Sequence, residues 1–127
     1  MAEPIIQPFA ALRPSPDYAA DVAAPPYDVV NTDEARKLAG GKPWSFLHIS
    51  KPEIDLPAWT SPYDDAVYAK GAENIKRMIE AGVLVRDAAP AYYVYRLQMV
   101  DHTQTGIVGA GSVQAYEKNL IRRHELT

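Results

Sequence analysis

Ten of the eleven prolines fall in residues 1–62, and only Pro90 lies beyond them. Proline cannot donate to a β-ladder or a helix interior, and it pushes the preceding residue out of helical geometry. The first half is therefore restricted to short strands and turns tied by extended segments. The long regular elements belong to the second half. At 127 residues, 47% hydrophobic and 23% charged, the chain is expected to be one folded domain rather than a disordered one. The absence of cysteine excludes a disulfide scaffold, thiol catalysis and Cys-ligated zinc. No apolar run reaches the length needed to span a bilayer, and Met1-Ala2-Glu3-Pro4 opens without the charged and apolar regions of a signal peptide. A cytoplasmic protein with no membrane partner is the expectation. The formal charge of −3 argues against bulk nucleic-acid binding.

Within the proline-rich half, residues 5–12 read as an edge strand broken by Pro8. Residues 21–24 read as a short extended piece. Asn31, with Glu34 three residues on, marks a helix start, and Gly40-Gly41 ends a helix over about 32–39. The alternation of Trp44, Phe46, His48 and Ser50 predicts a strand. Ser61-Pro62-Tyr63-Asp64 then opens the main helix at about 62–81, with Val67, Gly71, Ile75, Met78 and Ile79 on one apolar stripe. Gly71 on that stripe predicts close packing against a strand, and Gly82 ends the helix.

Beyond it, residues 83–85 form a short extended segment, and 92–100 are the clearest strand, with Tyr93, Tyr95, Leu97 and Met99 on one face. A polar connection over 101–106 and a returning strand over 106–116 complete a β-hairpin. Gly109 and Gly111 leave room for a packed aromatic, a bulge or a ligand. Helices mixed with a mixed or antiparallel sheet, packed by the helices at 62–81 and 32–39, make this an α+β fold.

Several residues are candidates for chemistry. Pro25-Pro26 holds Tyr27 and Asp28 rigidly; such an acid can act as a base, bind a cation or accept from a substrate hydroxyl. The simpler role for Asp28 is an Asx-turn, with Tyr27 at the core edge. His48, in a row with Trp44 and Phe46, fits a satisfied core histidine better than a ligand. The three histidines show no metal-ligand spacing, so no metal site is expected. Arg122-Arg123-His124-Glu125 gathers two guanidinium forks suited to phosphate with a His–Glu pair suited to proton transfer; a solvated terminus explains it as well. Gly106 to Gly111 is not a dinucleotide fingerprint, because its glycines lie within a strand and no helix opens directly after them.

Taken in order, Ile6-Gln7-Pro8-Phe9 with Leu12-Arg13-Pro14, the run Val22-Ala23-Ala24-Pro25-Pro26-Tyr27-Asp28-Val29, Trp44-Ser45-Phe46-Leu47-His48-Ile49, Pro90-Ala91-Tyr92-Tyr93-Val94-Tyr95-Arg96, Gly106-Ile107-Val108-Gly109 and Ile121-Arg122-Arg123-His124-Glu125-Leu126-Thr127 resemble the amino-terminal part of the bacterial and archaeal family called domain of unknown function 1015. The resemblance implies a longer protein, truncated here, whose downstream region looks like a ParB/sulfiredoxin-like fold. It implies that this piece holds at most half of a small-molecule, nucleotide or phosphate site, with phosphotransfer as a fold-level analogy and nucleotide with Mg²⁺ as the cofactor of the whole. On that reading Asp28, His124 and Glu125 are catalytic, Arg122 and Arg123 hold phosphate, and Arg13, Tyr27 and His48 lie on the substrate side. The competing expectation is a non-catalytic interaction or homo-oligomerisation domain using the hairpin and Tyr92, Tyr93, Tyr95 and Tyr116.

Overall fold

The computed structural model describes residues 4–122. Its order is β1 (Ile6–Gln7), β2 (Leu12–Pro14), α1 (Ala19–Val22), α2 (Thr32–Ala39), α3 (Leu47–Ser50), α4 (Asp65–Glu80), β3 (Leu84–Arg86), β4 (Tyr93–Met99), β5 (His102–Val108), β6 (Ala110–Gly111) and α5 (Val113–Glu117). The α+β class is observed. In place of one sheet, the strands form three two-stranded ladders, β1–β6, β2–β3 and β4–β5. The chain divides into two compact units, residues 12–85 and residues 1–11 with 86–127.

In the unit of residues 12–85, proline dictates short pieces and α4 supplies the scaffold. Helix α2 begins as its sequence predicts: Asn31 Oδ1 accepts from the Glu34 N–H at 2.8 Å, and Glu34 Oε1 accepts from the Asn31 N–H at 3.2 Å. This reciprocal cap satisfies two donors that a helix start leaves open. Helix α4 starts three residues later than expected, because Asp64 rather than Ser61 caps it, accepting from the Ala66 N–H. Ser61 instead accepts from the Tyr63 N–H. Gly82 ends α4 at φ +74°, a conformation open to glycine at no steric cost.

Two expectations are overturned here. Of residues 21–24, Asp21 and Val22 are not extended, since α1 covers Ala19–Val22; Ala23 follows at φ −56° and ψ 129°. Residues 44–50 are not a strand; α3 covers Leu47–Ser50. Short apolar runs carry no period long enough to separate the two states, and packing decides. In α3 the adjacent Leu47 and His48 are both buried, which an alternating strand covered on one face would not allow. Leu47 closes a cluster with Ala35 and Ala39, while Val22, Met78, Val83 and Leu84 form a second cluster. Gly71 does meet a close neighbour, but this is Pro52 and the Ile49 carbonyl rather than a strand: a Cβ there would lie 3.2 Å from Pro52 Cγ.

The other unit is built on the β4–β5 hairpin, which pairs Tyr93 with Val108 through Met99 with His102. Its turn is Val100–Asp101, tighter than the connection expected at 101–106, and the returning strand ends at Val108. Residues 113–117 are helix α5, capped by Ser112 Oγ on the Ala115 N–H, and not strand. Val100 adopts φ +42° at the first of the two turn residues. A β-branched residue is strained there, and glycine is what a turn of that sign prefers. Val100→Gly should therefore slow amide exchange across the hairpin by about two- to fivefold, measured at Met99 and His102 by NMR. No change, or faster exchange, would mean that the turn is not strained.

Candidate functional site

In the unit of residues 12–85 a network of polar side chains lies against α4. Asn74 interrupts the apolar stripe of α4 and is 3% exposed. Its side-chain amide donates to the His48 carbonyl at 2.7 Å and to Asp55 Oδ2 at 2.9 Å. The same Asp55 oxygen lies 2.7 Å from His48 Nδ1, and His48 Nε2 lies 3.0 Å from the Lys42 carbonyl. Both ring nitrogens thus face acceptors. The ring is tied through Nδ1 to the Asp55 carboxyl group and through Nε2 to the Lys42 carbonyl. Four chain segments are tied at this point: the loop before α3, α3 itself, the 3₁₀ turn Pro52–Asp55 and α4.

The segments are held from outside as well. Arg36, from α2, donates to the Glu53, Ile54 and Leu56 carbonyls and so clamps the 3₁₀ turn that carries Asp55. Arg77 donates to the Pro43 carbonyl at 3.1 Å, and its guanidinium carbon lies 5.1 Å from the Trp44 ring centre. Stacking a cation on the ring face is favourable and keeps the long side chain in one place.

Over this network lies an open cleft of about 430 Å³ lined by Pro43, His48, Asp55, Lys70, Glu73, Asn74 and Arg77. Lys70, Glu73, Asn74 and Arg77 share one face of α4, at the i, i+3, i+4 and i+7 positions. Lys70 Nζ is 3.5 Å from Glu73 Oε2, a partly exposed pair of small energetic value that a ligand can displace. With both nitrogens engaged, His48 is placed to hold the floor rather than to move a proton.

Of the residues singled out from sequence, His48 alone lines this cleft. Tyr27 and Asp28 lie on a 3₁₀ turn, Tyr27–Val29, and are exposed, Tyr27 by 60%. Tyr27 is therefore not at a core edge. Arg13 is exposed on β2, and Arg122 is exposed in the other unit. Arg123, His124 and Glu125 lie outside the described residues. Asn74, Asp55, Lys70 and Arg77 were not singled out. The available signal was Asn74, a polar residue at the step between Gly71 and Met78 on an otherwise apolar stripe. Among the described residues no cluster of three or more His, Asp or Glu is arranged to hold a metal.

In the other unit, Gly109 is where the predicted room for an aromatic is used: a Cβ there would lie 3.1 Å from the Tyr92 ring and 2.6 Å from Ile6 Cγ2. Tyr93 is structural. Its hydroxyl lies 2.5 Å from Asp87 Oδ2 and accepts from the Ala11 N–H at 2.9 Å, and its ring packs on Phe9. Tyr95, Leu97 and Met99 stay more than half exposed. No helix among the described residues is long and apolar enough to cross a membrane.

Helices with small antiparallel ladders, and a polar network beneath a charged cleft, define an α+β protein. The chain belongs to the DUF1015 family, described as a protein of unknown function, whose model matches residues 6–127. No curated protein and no solved structure matches it.

Proposed function

We propose that this chain contributes a binding site for a small polar molecule carrying an anionic group, phosphate foremost, at the cleft on α4. The observation that carries this reading is the cleft itself: a charged rim of Lys70, Arg77 and Glu73 above a hydrogen-bonded His48–Asp55–Asn74 floor. A rigid polar floor positions a ligand at low entropic cost, and cations on one helix face suit an anionic group. In the reading that follows from the family resemblance, the chain is the amino-terminal part of a longer enzyme, and a nucleotide with Mg²⁺ is bound by the whole. Phosphoryl transfer is then the reaction class, by analogy alone.

The test is calorimetric titration of the full-length protein with inorganic phosphate, ADP and ATP, with and without Mg²⁺. Lys70→Ala should weaken binding by about tenfold, the loss of one charge-assisted contact. Asp28→Ala and Arg122→Ala are the comparison. If those two abolish binding while Lys70→Ala leaves it unchanged, the ligand sits at the Pro25–Val29 turn or near the carboxyl end and not on α4. Absence of binding by all three ligands overturns the phosphate reading.

A second reading, an interaction domain, is favoured by the exposure of Tyr95, Leu97, Met99 and Ile107 on the hairpin.

A further inference from the structure

The β4–β5 hairpin pairs seven residues on each strand, yet its sheet contains only those two strands. An isolated two-stranded ribbon is marginal in water; three or more strands are needed for independent stability. Both outer edges are unpaired among the described residues. The two edges differ in chemistry, and the difference selects one of them.

Ladder geometry says which groups each edge offers. The two-residue turn makes Met99 and His102 the first hydrogen-bonded pair, and bonded and non-bonded pairs alternate from there. On β5 the N–H and C=O groups of Thr103, Thr105 and Ile107 therefore point outward. On β4 those of Val94, Arg96 and Gln98 do so. Natural edges are usually blunted by Lys, Pro, charges or bulges. The β5 edge, His102-Thr103-Gln104-Thr105-Gly106-Ile107-Val108, has no proline, no acid, no Lys and no Arg. The β4 edge carries Arg96 at its centre.

We propose that β5 pairs antiparallel with β5 of a second copy, about a two-fold axis at Thr105, giving a four-stranded sheet. The occupant is self-complementary on three counts. The axis falls on Thr105, the middle residue of β5, whose outward N–H and C=O bond to Thr105 of the second copy. Thr103 and Ile107 exchange the same bonds reciprocally. The side chains that face each other are Thr with Thr, Thr with Ile and Gln with Gly, with no like charges opposed; Thr–Thr pairs across strands are favourable. The alternative axis on β4 would set Arg96 directly opposite Arg96, which is repulsive; about the β5 axis the two Arg96 side chains, each with Nε donating to its own Thr105 Oγ1 at 3.4 Å, stand one strand further back. A two-fold interface closes on itself, so the pairing stops at a dimer. A seven-residue edge buries well under the ~800 Å² per partner of a standard interface, so the association is weak and strongly concentration-dependent.

Sedimentation velocity on the full chain, from low-micromolar to near-millimolar concentration, reads this directly. The wild type should shift from monomer to dimer. Thr105→Lys, which sets two ammonium groups against each other, should raise the dissociation constant by about tenfold or more. Thr105→Pro removes an N–H that the hairpin's own ladder does not use, and it should do the same. Gln98→Lys, on the outer edge of β4, should leave the dimer unchanged. NMR amide exchange checks that each variant keeps the hairpin, and it should show concentration-dependent protection at Thr103, Thr105 and Ile107 in the wild type and in Gln98→Lys but not in the Thr105 variants. A wild type that stays monomeric throughout overturns the proposal. So does a dimer that survives both Thr105 variants, and a loss of dimer with Gln98→Lys would assign the interface to β4. None of these outcomes depends on ligand binding at α4.

Discussion

Asn74→Leu is expected to destabilise the unit of residues 12–85 by about 2–4 kcal/mol, since each buried polar group left unpaired costs about 1–3 kcal/mol. Leucine has the branched outline of asparagine and suits a helix, so propensity does not oppose the change, and its larger volume adds to the cost at this buried site. What is lost is the amide that serves both the His48 carbonyl and Asp55 Oδ2. The carbonyl is left without that donor, and Asp55 keeps only His48 as a partner. Urea unfolding followed by tryptophan fluorescence reports on this unit, because Trp44 and Trp59 both belong to it. Lys70→Ala, on the exposed rim, should stay within about 0.5 kcal/mol of the wild type. Equal midpoints for Asn74→Leu and the wild type would show that the network contributes no net stability. The contrast separates the floor, which supports the fold, from the rim, which is open to a ligand.

Gly109→Ala should destabilise the hairpin unit by about 1–3 kcal/mol, the usual cost of overpacking a tight site. The added methyl would lie 2.6 Å from Ile6 Cγ2 and 3.1 Å from the Tyr92 ring, and Ile6 is itself held in the β1–β6 ladder. Gly106 is the internal control. It lies on the same hairpin at ordinary strand φ with nothing within 4 Å of a Cβ, so Gly106→Ala should be neutral or slightly stabilising. This unit contains no tryptophan, so amide exchange at Tyr93–Val108 is the measurement. Equal effects of the two substitutions would refute the close approach at Gly109.

Local signals were legible where a residue's own chemistry sets its backbone. The Asn31–Glu34 cap, the stop at Gly82 and the strand at Tyr93–Met99 all follow from residues acting on near neighbours. The short helices that replace the extended segments expected at 21–24 and 44–50 were not legible, because runs this short carry no distinguishing period; the burial of both Leu47 and His48 is imposed by elements far away in the chain. The site was legible in part. His48 was noticed as a polar residue in an apolar row, but Asp55 and Asn74 are 7 and 26 residues beyond it, and no spacing rule joins them.

The sequence by itself determined that the chain is α+β, that its proline-rich half is made of short pieces, and that it belongs with the proteins its ordered motifs resemble. These are consequences of proline, glycine and apolar periodicity, which act locally. Only the tertiary structure decided that His48 has no free nitrogen, that Tyr27 and Asp28 face outward, and that the apolar hairpin stands as two strands. Those depend on which distant groups meet, and hydrogen-bond satisfaction and burial are properties of the packed chain rather than of any one segment.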